Sequence, residues 1–172
     1  MEIFEAIYGR RSIREYRDEE VKEEDILKAI DCAIHAPSAG NIQPWEFIII
    51  RDYEIKKKLY RAAFHQEHVL KAPLLIVVCA DLMKAAYYGT RGTNLYAIQD
   101  TAAAIENMLL AFYALGYGTC WVGAFSESVV RETLKIPQDC RPVAIITVGK
   151  SDETPSPRNM RDVKDVIHFD RF

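Results

Sequence analysis

The chain has 172 residues, of which 49% are hydrophobic, and its formal net charge at pH 7 is -3. This length predicts one domain, residues 1–172, that buries roughly 70% of the surface its unfolded chain exposes. The net negative charge argues against a nucleic-acid-binding protein. Residues 1–5 are acidic and amphipathic and lack the basic and apolar regions of a signal peptide.

The hydrophobic pattern predicts helices and strands that are interspersed without strict β-α-β alternation. Periodic apolar residues predict helices at residues 3–9, 18–35, 53–63, 95–115 and 126–134, the last capped by Ser126. Continuous apolar runs predict strands at residues 45–50, 74–80, 119–122 and 142–149. We therefore expect an α+β layered fold with a mixed sheet, and a less regular connector or lid at residues 81–94.

The longest apolar stretch, residues 95–115, organises the chain. A helix that is apolar on nearly all faces is buried on several sides or spans a membrane. Gln99, Asp100, Glu106 and Asn107 interrupt the stretch, and ionisable groups are costly in hydrocarbon, so we expect no membrane span. We expect a central helix with elements packed on several of its faces, and a second subunit is one candidate for them.

The four cysteines, Cys32, Cys79, Cys120 and Cys140, are far apart and form no C-x-x-C pair. Three lie in apolar runs, which favours buried free thiols in a reducing cytoplasm over a disulfide or a metal site. Residues 150–172 combine turn-forming residues with an apolar end, which predicts a tail docked on its own body or on a partner.

Two basic clusters are candidates for an anion site. Arg10, Arg11, Ser12 and Arg14 combine guanidiniums with a hydroxyl, a combination suited to phosphate recognition, although a solvated basic turn has the same composition. A second group lies in the tail, at Arg158 and Arg161. The sequence leaves open whether the two clusters converge.

Two further segments offer small residues or amides to a ligand. One is the loop that contains Pro37, Ser38, Ala39, Asn41 and Gln43, whose amides could hold the edge of a polar heterocycle. The other is Gly123 and Ala124 after a strand, where backbone N–H groups can approach a ring; tight packing is the alternative interpretation.

His65 and His68 place two imidazoles three residues apart, as surface histidines or as donors in a pocket. No H-E-x-x-H motif is present, so we expect no metal. The chain also has no G-x-G-x-x-G, P-loop or G-x-S-x-G motif, which disfavours a Rossmann dinucleotide enzyme, a P-loop NTPase and an α/β-hydrolase.

Taken together, these stretches resemble the FMN-dependent nitroreductase family. The resemblance runs through nearly the whole chain, and the order and spacing of its pieces make it specific: residues 10–14, 36–45, 72–78, 99–110, 114–125 and 142–149. It implies a three-layer α/β/α nitroreductase-like fold and an intertwined homodimer that binds two FMN molecules at the subunit interface.

The resemblance also implies roles for the candidate residues. Arg10, Ser12 and Arg14, with Arg11 in the same turn and Arg158 or Arg161, would hold the FMN phosphate. The loop from Pro37 to Gln43 would approach the flavin from the other subunit, and Gly123 and Ala124 would lie beside its reactive N5. His65 and His68 would lie at the pyrimidine edge, where one or the other would raise the reduction potential of the flavin.

The implied activity is an NAD(P)H oxidoreductase that reduces electron-poor small molecules, such as nitroaromatics and quinones, by ping-pong hydride transfer through flavin N5. No amino-acid nucleophile is needed. The alternatives are a flavin-binding or redox-sensing module with little turnover, and a specialised flavoenzyme of the same fold of the dehalogenase or flavin-fragmenting type.

Overall fold

A four-stranded sheet forms the centre of the computed structural model, which describes residues 1–172. The strands, in spatial order, are β1 (Trp45–Ile50), β2 (Leu74–Asp81), β4 (Cys140–Gly149) and β3 (Gly118–Val122). All three strand pairs are antiparallel. The expected mixed sheet was therefore wrong for these four strands: β2 and β3 run in the same direction, but β4 lies between them and runs opposite to both. The one parallel contact is an isolated bridge between Ser12 and Thr119 at the outer edge of β3.

Eight helices surround this sheet: α1 (Ile3–Gly9), α2 (Glu23–Ile34), α3 (Tyr53–Ala62), α4 (Glu67–Lys71), α5 (Leu82–Ala85), α6 (Gly89–Arg91), α7 (Ala97–Ala114) and α8 (Glu127–Leu134). The connector expected to be irregular, residues 81–94, is largely helical. It consists of α5, a 3-10 turn (Ala86–Tyr88), α6 and most of a π-helical turn (Gly92–Tyr96). Two more 3-10 turns lie at Ala39–Asn41 and Val163–Val166.

The sheet is covered on both faces, which confirms the three-layer architecture. Alternate residues of β2 point to opposite sides: Leu74, Ile76 and Val78 pack with α2 and α7, whereas Leu75 and Val77 pack with α3, α4 and α8. Because both of its faces are buried, β2 does not alternate between polar and apolar residues, and its sequence is one continuous apolar run.

Helix α2 begins five residues later than the sequence pattern predicted. The preceding residues are extended because the backbone of this segment bonds to the chain after β4, where the Arg17 N–H donates to the Lys150 carbonyl at 3.0 Å. The helix starts only at Glu23, with three acidic residues in its first turn. Ser126 does precede α8, but its side chain makes no capping hydrogen bond.

Helix α7 packs on its own sheet, as expected. Ala104, Met108 and Phe112 are fully buried in the core that it forms with α2 and the sheet. Its opposite face is only partly covered, with Ala102 and Leu110 half-buried and Glu106 exposed. A second subunit could contact α7 only through this outward face.

The tail makes no buried contact with its own chain beyond Pro155. Every residue from Ser156 to Phe172 is exposed, including the apolar side chains of Met160, Val163 and Phe169. Of the two expected docking arrangements, the one on its own body is therefore wrong for residues 159–172, whereas Ser156 and Arg158 lie against Arg11. None of the helices combines the length and the apolar character that crossing a membrane requires.

Candidate functional site

The segment that contains the first arginine cluster is fixed by backbone hydrogen bonds on two sides. The Ile13 N–H donates to the Thr119 carbonyl of β3 at 2.9 Å, and the Asp152 N–H donates to the Glu15 carbonyl at 3.0 Å. A Cβ on Gly118 would lie 2.7 Å from the Ile13 side chain, so only glycine permits this close approach. These bonds hold the arginine segment between the edge of the sheet and the chain that leaves β4.

This pairing brings the two basic clusters together. A cavity of about 360 Å³ is lined by seven residues from both ends of the chain: Arg11, Ser12, Arg14, Glu153, Pro155, Ser156 and Arg158. Arg11 Nη1 donates to the Ser156 carbonyl at 2.8 Å and ties the two segments together. Arg161 does not line this cavity; its Nη2 donates to the Asp165 carbonyl of the tail at 2.6 Å.

One carboxylate, which the sequence patterns did not single out, also lies in this cavity. Glu153 Oε1 accepts hydrogen bonds from the N–H groups of Arg14 at 2.5 Å and Glu15 at 3.2 Å. Its bonds fix the backbone of the arginine segment. The lining still has three guanidiniums against one carboxylate, so the cavity, which we call the basic cavity, favours an anion.

Arg10 lines an adjoining cavity of about 330 Å³ together with Gly9, Arg11 and Tyr113, among others. Its side chain is only 17% exposed, and its Nε lies 3.6 Å from Glu106 Oε1. That nitrogen is buried and has no hydrogen-bond partner. A buried donor without a partner costs about 1–3 kcal/mol, which makes Arg10 a candidate to receive a ligand acceptor.

The loop from Pro37 to Gln43, which we call the amide loop, lies at the other end of α7. The Ala39 N–H donates to the carboxylate of Asp100 in the first turn of this helix, at 3.1 and 3.2 Å to its two oxygens. Asp100 and Tyr113, which lines the Arg10 cavity, are thirteen residues apart, or about 20 Å along a helix. Within one chain, neither cavity of the arginine cluster is lined by the amide loop.

Gly123 and Ala124 follow β3, whose first half carries the bridge to Ser12. The four residue steps from Thr119 to Gly123 correspond to about 13 Å of extended chain. The side-chain amide of Gln66, between the two candidate histidines in sequence, donates to the Ala124 carbonyl at 3.0 Å. The edge of β3 therefore connects the basic cavity at one end with an open glycine backbone at the other.

A smaller cavity of about 220 Å³ lies beside Gly123 and includes Phe125 and the ion pair between Arg141 and Glu127. In that pair, Arg141 Nη2 lies 2.7 Å from Glu127 Oε1, and Nε lies 3.0 Å from Oε2. The bidentate contact neutralises both charges, lowers the pKa of Glu127 and raises the pKa of Arg141.

The two candidate histidines have different environments. His65 is exposed and packs edge-on against Tyr60, with ring centroids 5.0 Å apart. His68 is only 7% exposed, so the surface interpretation is wrong for it, and its Nε2 has no hydrogen-bond partner. Burial lowers the pKa of His68, and the positive charge of Arg14 lowers it further, whereas Glu15 partly offsets both effects.

Comparison with known proteins places this arrangement in a family. The model of the nitroreductase family matches residues 7–69 and 61–150. The chain belongs to the nitroreductase family.

Relatives and solved structures agree with this assignment. A protein of Archaeoglobus fulgidus, named as a candidate NADH dehydrogenase/NAD(P)H nitroreductase, is 40% identical over 154 residues, or 86% of this chain and 84% of that protein. The FMN reductase [NAD(P)H] of Bacillus subtilis is 29% identical over 162 residues, or 86% and 65%. A crystal structure of a candidate NADH dehydrogenase/NAD(P)H nitroreductase from Parabacteroides distasonis has a TM-score of 0.87 at 30% identity and covers 97% of both chains.

The residues of this nitroreductase-family chain fit a flavin nucleotide. Two buried side-chain nitrogens lack a hydrogen-bond partner, Arg10 Nε and His68 Nε2, and both belong to residues that the resemblance assigns to FMN. Four of the six non-glycine residues with positive φ also fall in the assigned segments or next to them, at Asn41, Gln43, Phe64 and His65. Unpartnered polar atoms and strained backbone are typical of ligand sites.

All four cysteines are free thiols. Cys79 and Cys120 are buried, as expected for residues in apolar runs, whereas Cys32 and Cys140 are half-buried. Burial raises the pKa of the Cys79 thiol to about 12, which leaves it unreactive at neutral pH.

The burial of His68 predicts a loss of stability in mild acid. Its pKa in the folded state lies below the ordinary value of about 6.5, so the unfolded chain binds the proton more readily as the pH falls. The free energy of unfolding, measured by urea titration of the flavin-free protein from pH 7.5 to 5.5, is therefore expected to fall more steeply for wild type than for His68→Gln.

His35→Gln is the matched control for this measurement, because the His35 side chain is 73% exposed. It should keep the pH dependence of wild type. Superimposable pH profiles of wild type and His68→Gln would contradict the neutral, buried state of this imidazole.

Proposed function

We propose that this chain is an FMN-dependent NAD(P)H oxidoreductase that reduces electron-poor small molecules, with nitroaromatics and quinones as the acceptor class. One observation carries the proposal. The basic cavity joins Arg11, Ser12, Arg14 and Arg158 from opposite ends of the chain, at one end of a strand edge that leads to Gly123. Family membership and the names of relatives that reduce FMN or nitro compounds support it.

The proposed FMN lies along the outer edge of β3. Its phosphate would occupy the basic cavity and meet the guanidiniums of Arg11, Arg14 and Arg158 and the hydroxyl of Ser12. Its ring would be held by Gly123 and Ala124, which follow β3 at the other end of this edge. Glycine and alanine allow the backbone to come close to a flat ring, and the neighbouring cavity leaves room for a second planar molecule.

When bound, FMN would supply the redox chemistry, accepting hydride from NAD(P)H at N5 and passing it to an acceptor that takes the place of NAD(P)⁺. The residues of the chain would bind and orient the reactants. His68 Nε2 would gain the hydrogen-bond partner that it lacks. A donor at this position would stabilise negative charge on the pyrimidine end of the ring and so favour reduction.

We also propose that the functional unit is a homodimer of one-domain chains. The tail exposes apolar side chains, and α1 exposes Ile3, Phe4, Ile7 and Tyr8 next to the outward face of α7. Surfaces with this much exposed apolar area are typical of protein interfaces. Within one chain, the amide loop lies at the far end of α7 from the arginine cluster and does not line its cavities. In a dimer, the partner would bring its own amide loop to the flavin. The four free thiols fit a reducing cytoplasm.

The function is tested by the bound cofactor and by turnover. The purified protein, or the protein reconstituted with FMN, is expected to show a flavin spectrum and to oxidise NADH or NADPH only when a quinone or nitroaromatic acceptor is present. The initial rates should give parallel double-reciprocal plots, as ping-pong kinetics requires. Bound flavin without turnover would instead support a binding or sensing module, and a protein that cannot be loaded with FMN would contradict both.

The two tail arginines provide a matched pair for the phosphate site. Arg158 lines the basic cavity, whereas Arg161 bonds within the tail. Arg158→Ala is expected to weaken FMN binding about tenfold or more, because a charge-assisted hydrogen bond contributes about 1.5–3 kcal/mol. Arg161→Ala should bind FMN within about twofold of wild type. Quenching of flavin fluorescence gives both dissociation constants, and equal losses in the two variants would reject this placement of the phosphate.

The dimer is tested by light scattering, which should give the mass of two chains for wild type. Phe4→Asp is expected to shift the protein toward single chains, because Phe4 is 66% exposed on the proposed interface. Tyr53→Asp is the control, an aromatic residue that is 56% exposed at the start of α3 on the other side of the sheet. A Phe4→Asp protein that remains a dimer would place the interface elsewhere.

A further inference from the structure

Asp100 is a buried carboxylate that accepts hydrogen bonds from a single donor group. The residue is 6% exposed, and the hydrogen-bond donor that reaches it is the N–H of Ala39 in the amide loop, at 3.1 and 3.2 Å from its two oxygens. Its neighbour Thr101 is also buried but bonds only to carbonyls of its own helix, those of Ala97 and Ile98. Asp100 is thus the side chain by which α7 holds this loop.

The loop that Asp100 holds is strained. Gly40, Asn41 and Gln43 all have positive φ, at 54°, 58° and 49°. The left-handed conformation is easy for glycine and tolerable for asparagine, but it costs about 1–2 kcal/mol for a residue such as glutamine. Such backbone persists only where its surroundings impose it, and it concentrates at ligand-binding segments.

Two side-chain acceptors impose the conformation from the two ends of the loop. Asp100 holds the Ala39 N–H just before the left-handed residues begin. Ser38 Oγ accepts from the Gln43 N–H at 3.1 Å, where they end. Tyr88 closes the turn from outside, because a Cβ on Gly40 would lie 2.0 Å from the Tyr88 hydroxyl. Of these three contacts, only the one from Asp100 anchors the loop to the core.

A carboxylate at this position is unfavourable for the stability of the fold. Burial raises the pKa of Asp100, and the single hydrogen bond from Ala39 only partly offsets that effect. A buried charge with one donor is a weak stabilising element compared with an apolar residue of similar size. The contribution of Asp100 is therefore to hold the amide loop in place rather than to stabilise the fold.

We propose that Asp100 is a positioning residue of the flavin site: by holding the Ala39 N–H, it fixes the strained turn in which Asn41 and Gln43 present their amides to the flavin. The inference rests on the proposed function, in which the amide loop contacts FMN. Asp100 acts through the loop and does not itself touch the cofactor.

The test compares Asp100→Ala, which removes the acceptor, with Asp100→Asn, which keeps a carbonyl oxygen at the same reach. Thr101→Val is the matched control, since it removes a buried polar group of the same helical turn that does not reach the loop. The first measurement is backbone amide exchange of residues 37–43 in the flavin-free protein. Exchange should become faster in Asp100→Ala and stay close to wild type in Asp100→Asn and Thr101→Val.

The second measurement is the FMN dissociation constant of the same four proteins. Asp100→Ala is expected to bind FMN about tenfold more weakly than wild type, and Asp100→Asn to recover affinity to within about threefold. Wild-type exchange and affinity in Asp100→Ala would overturn the positioning role. An equal loss of affinity in Asp100→Ala, Asp100→Asn and Thr101→Val would overturn it as well, because that pattern reports general damage to the helix.

The failure of the proposed function gives a different result. If wild type itself does not bind FMN, the proposed function fails and the flavin role of Asp100 fails with it, whatever the exchange data show. If wild type binds FMN and Asp100→Ala binds it equally well, only the positioning role fails.

Discussion

The candidate site depends on one backbone interaction, the docking of the arginine segment onto the edge of β3. The Ile13 N–H bonds to the Thr119 carbonyl, and Gly118 leaves the space that the Ile13 side chain fills. A few residues further on, the same segment pairs with the chain leaving β4. The two basic clusters meet because both are attached to this edge. Without this docking, Arg11, Arg14 and Arg158 would be unrelated surface charges.

The fold was largely predictable from the sequence, because strands that are buried on both faces have continuous apolar sequences. The apolar runs of β1, β2 and β4 and the length of α7 were predicted within a few residues. The antiparallel pairing of the strands was not predicted, because the sequence of a helical connection does not show in which direction the next strand runs. The later start of α2 was missed for a related reason: Arg17 is extended because it pairs with Lys150, more than a hundred residues away.

The candidate site was predictable only as a set of residue types. Local patterns singled out the arginines, the amide loop and the histidines, but they carried no information on whether Arg158 or Arg161 reaches the cavity. The residues that organise the site were not singled out at all. Glu153 follows turn-forming residues, and Asp100 looked like an interruption in an apolar helix. Both act through backbone N–H groups of distant segments, and a carboxylate with that role has no sequence signature.

The position of the arginine segment has a consequence for the behaviour of the protein in solution. An unprotected edge strand is a template on which further chains can pair and aggregate. In this fold, β3 is such an edge, and the arginine segment covers its first half through the bridge between Ser12 and Thr119. The same segment therefore lines the basic cavity and shields the sheet edge, so that a substitution which detached it would dismantle the cavity and expose the strand together.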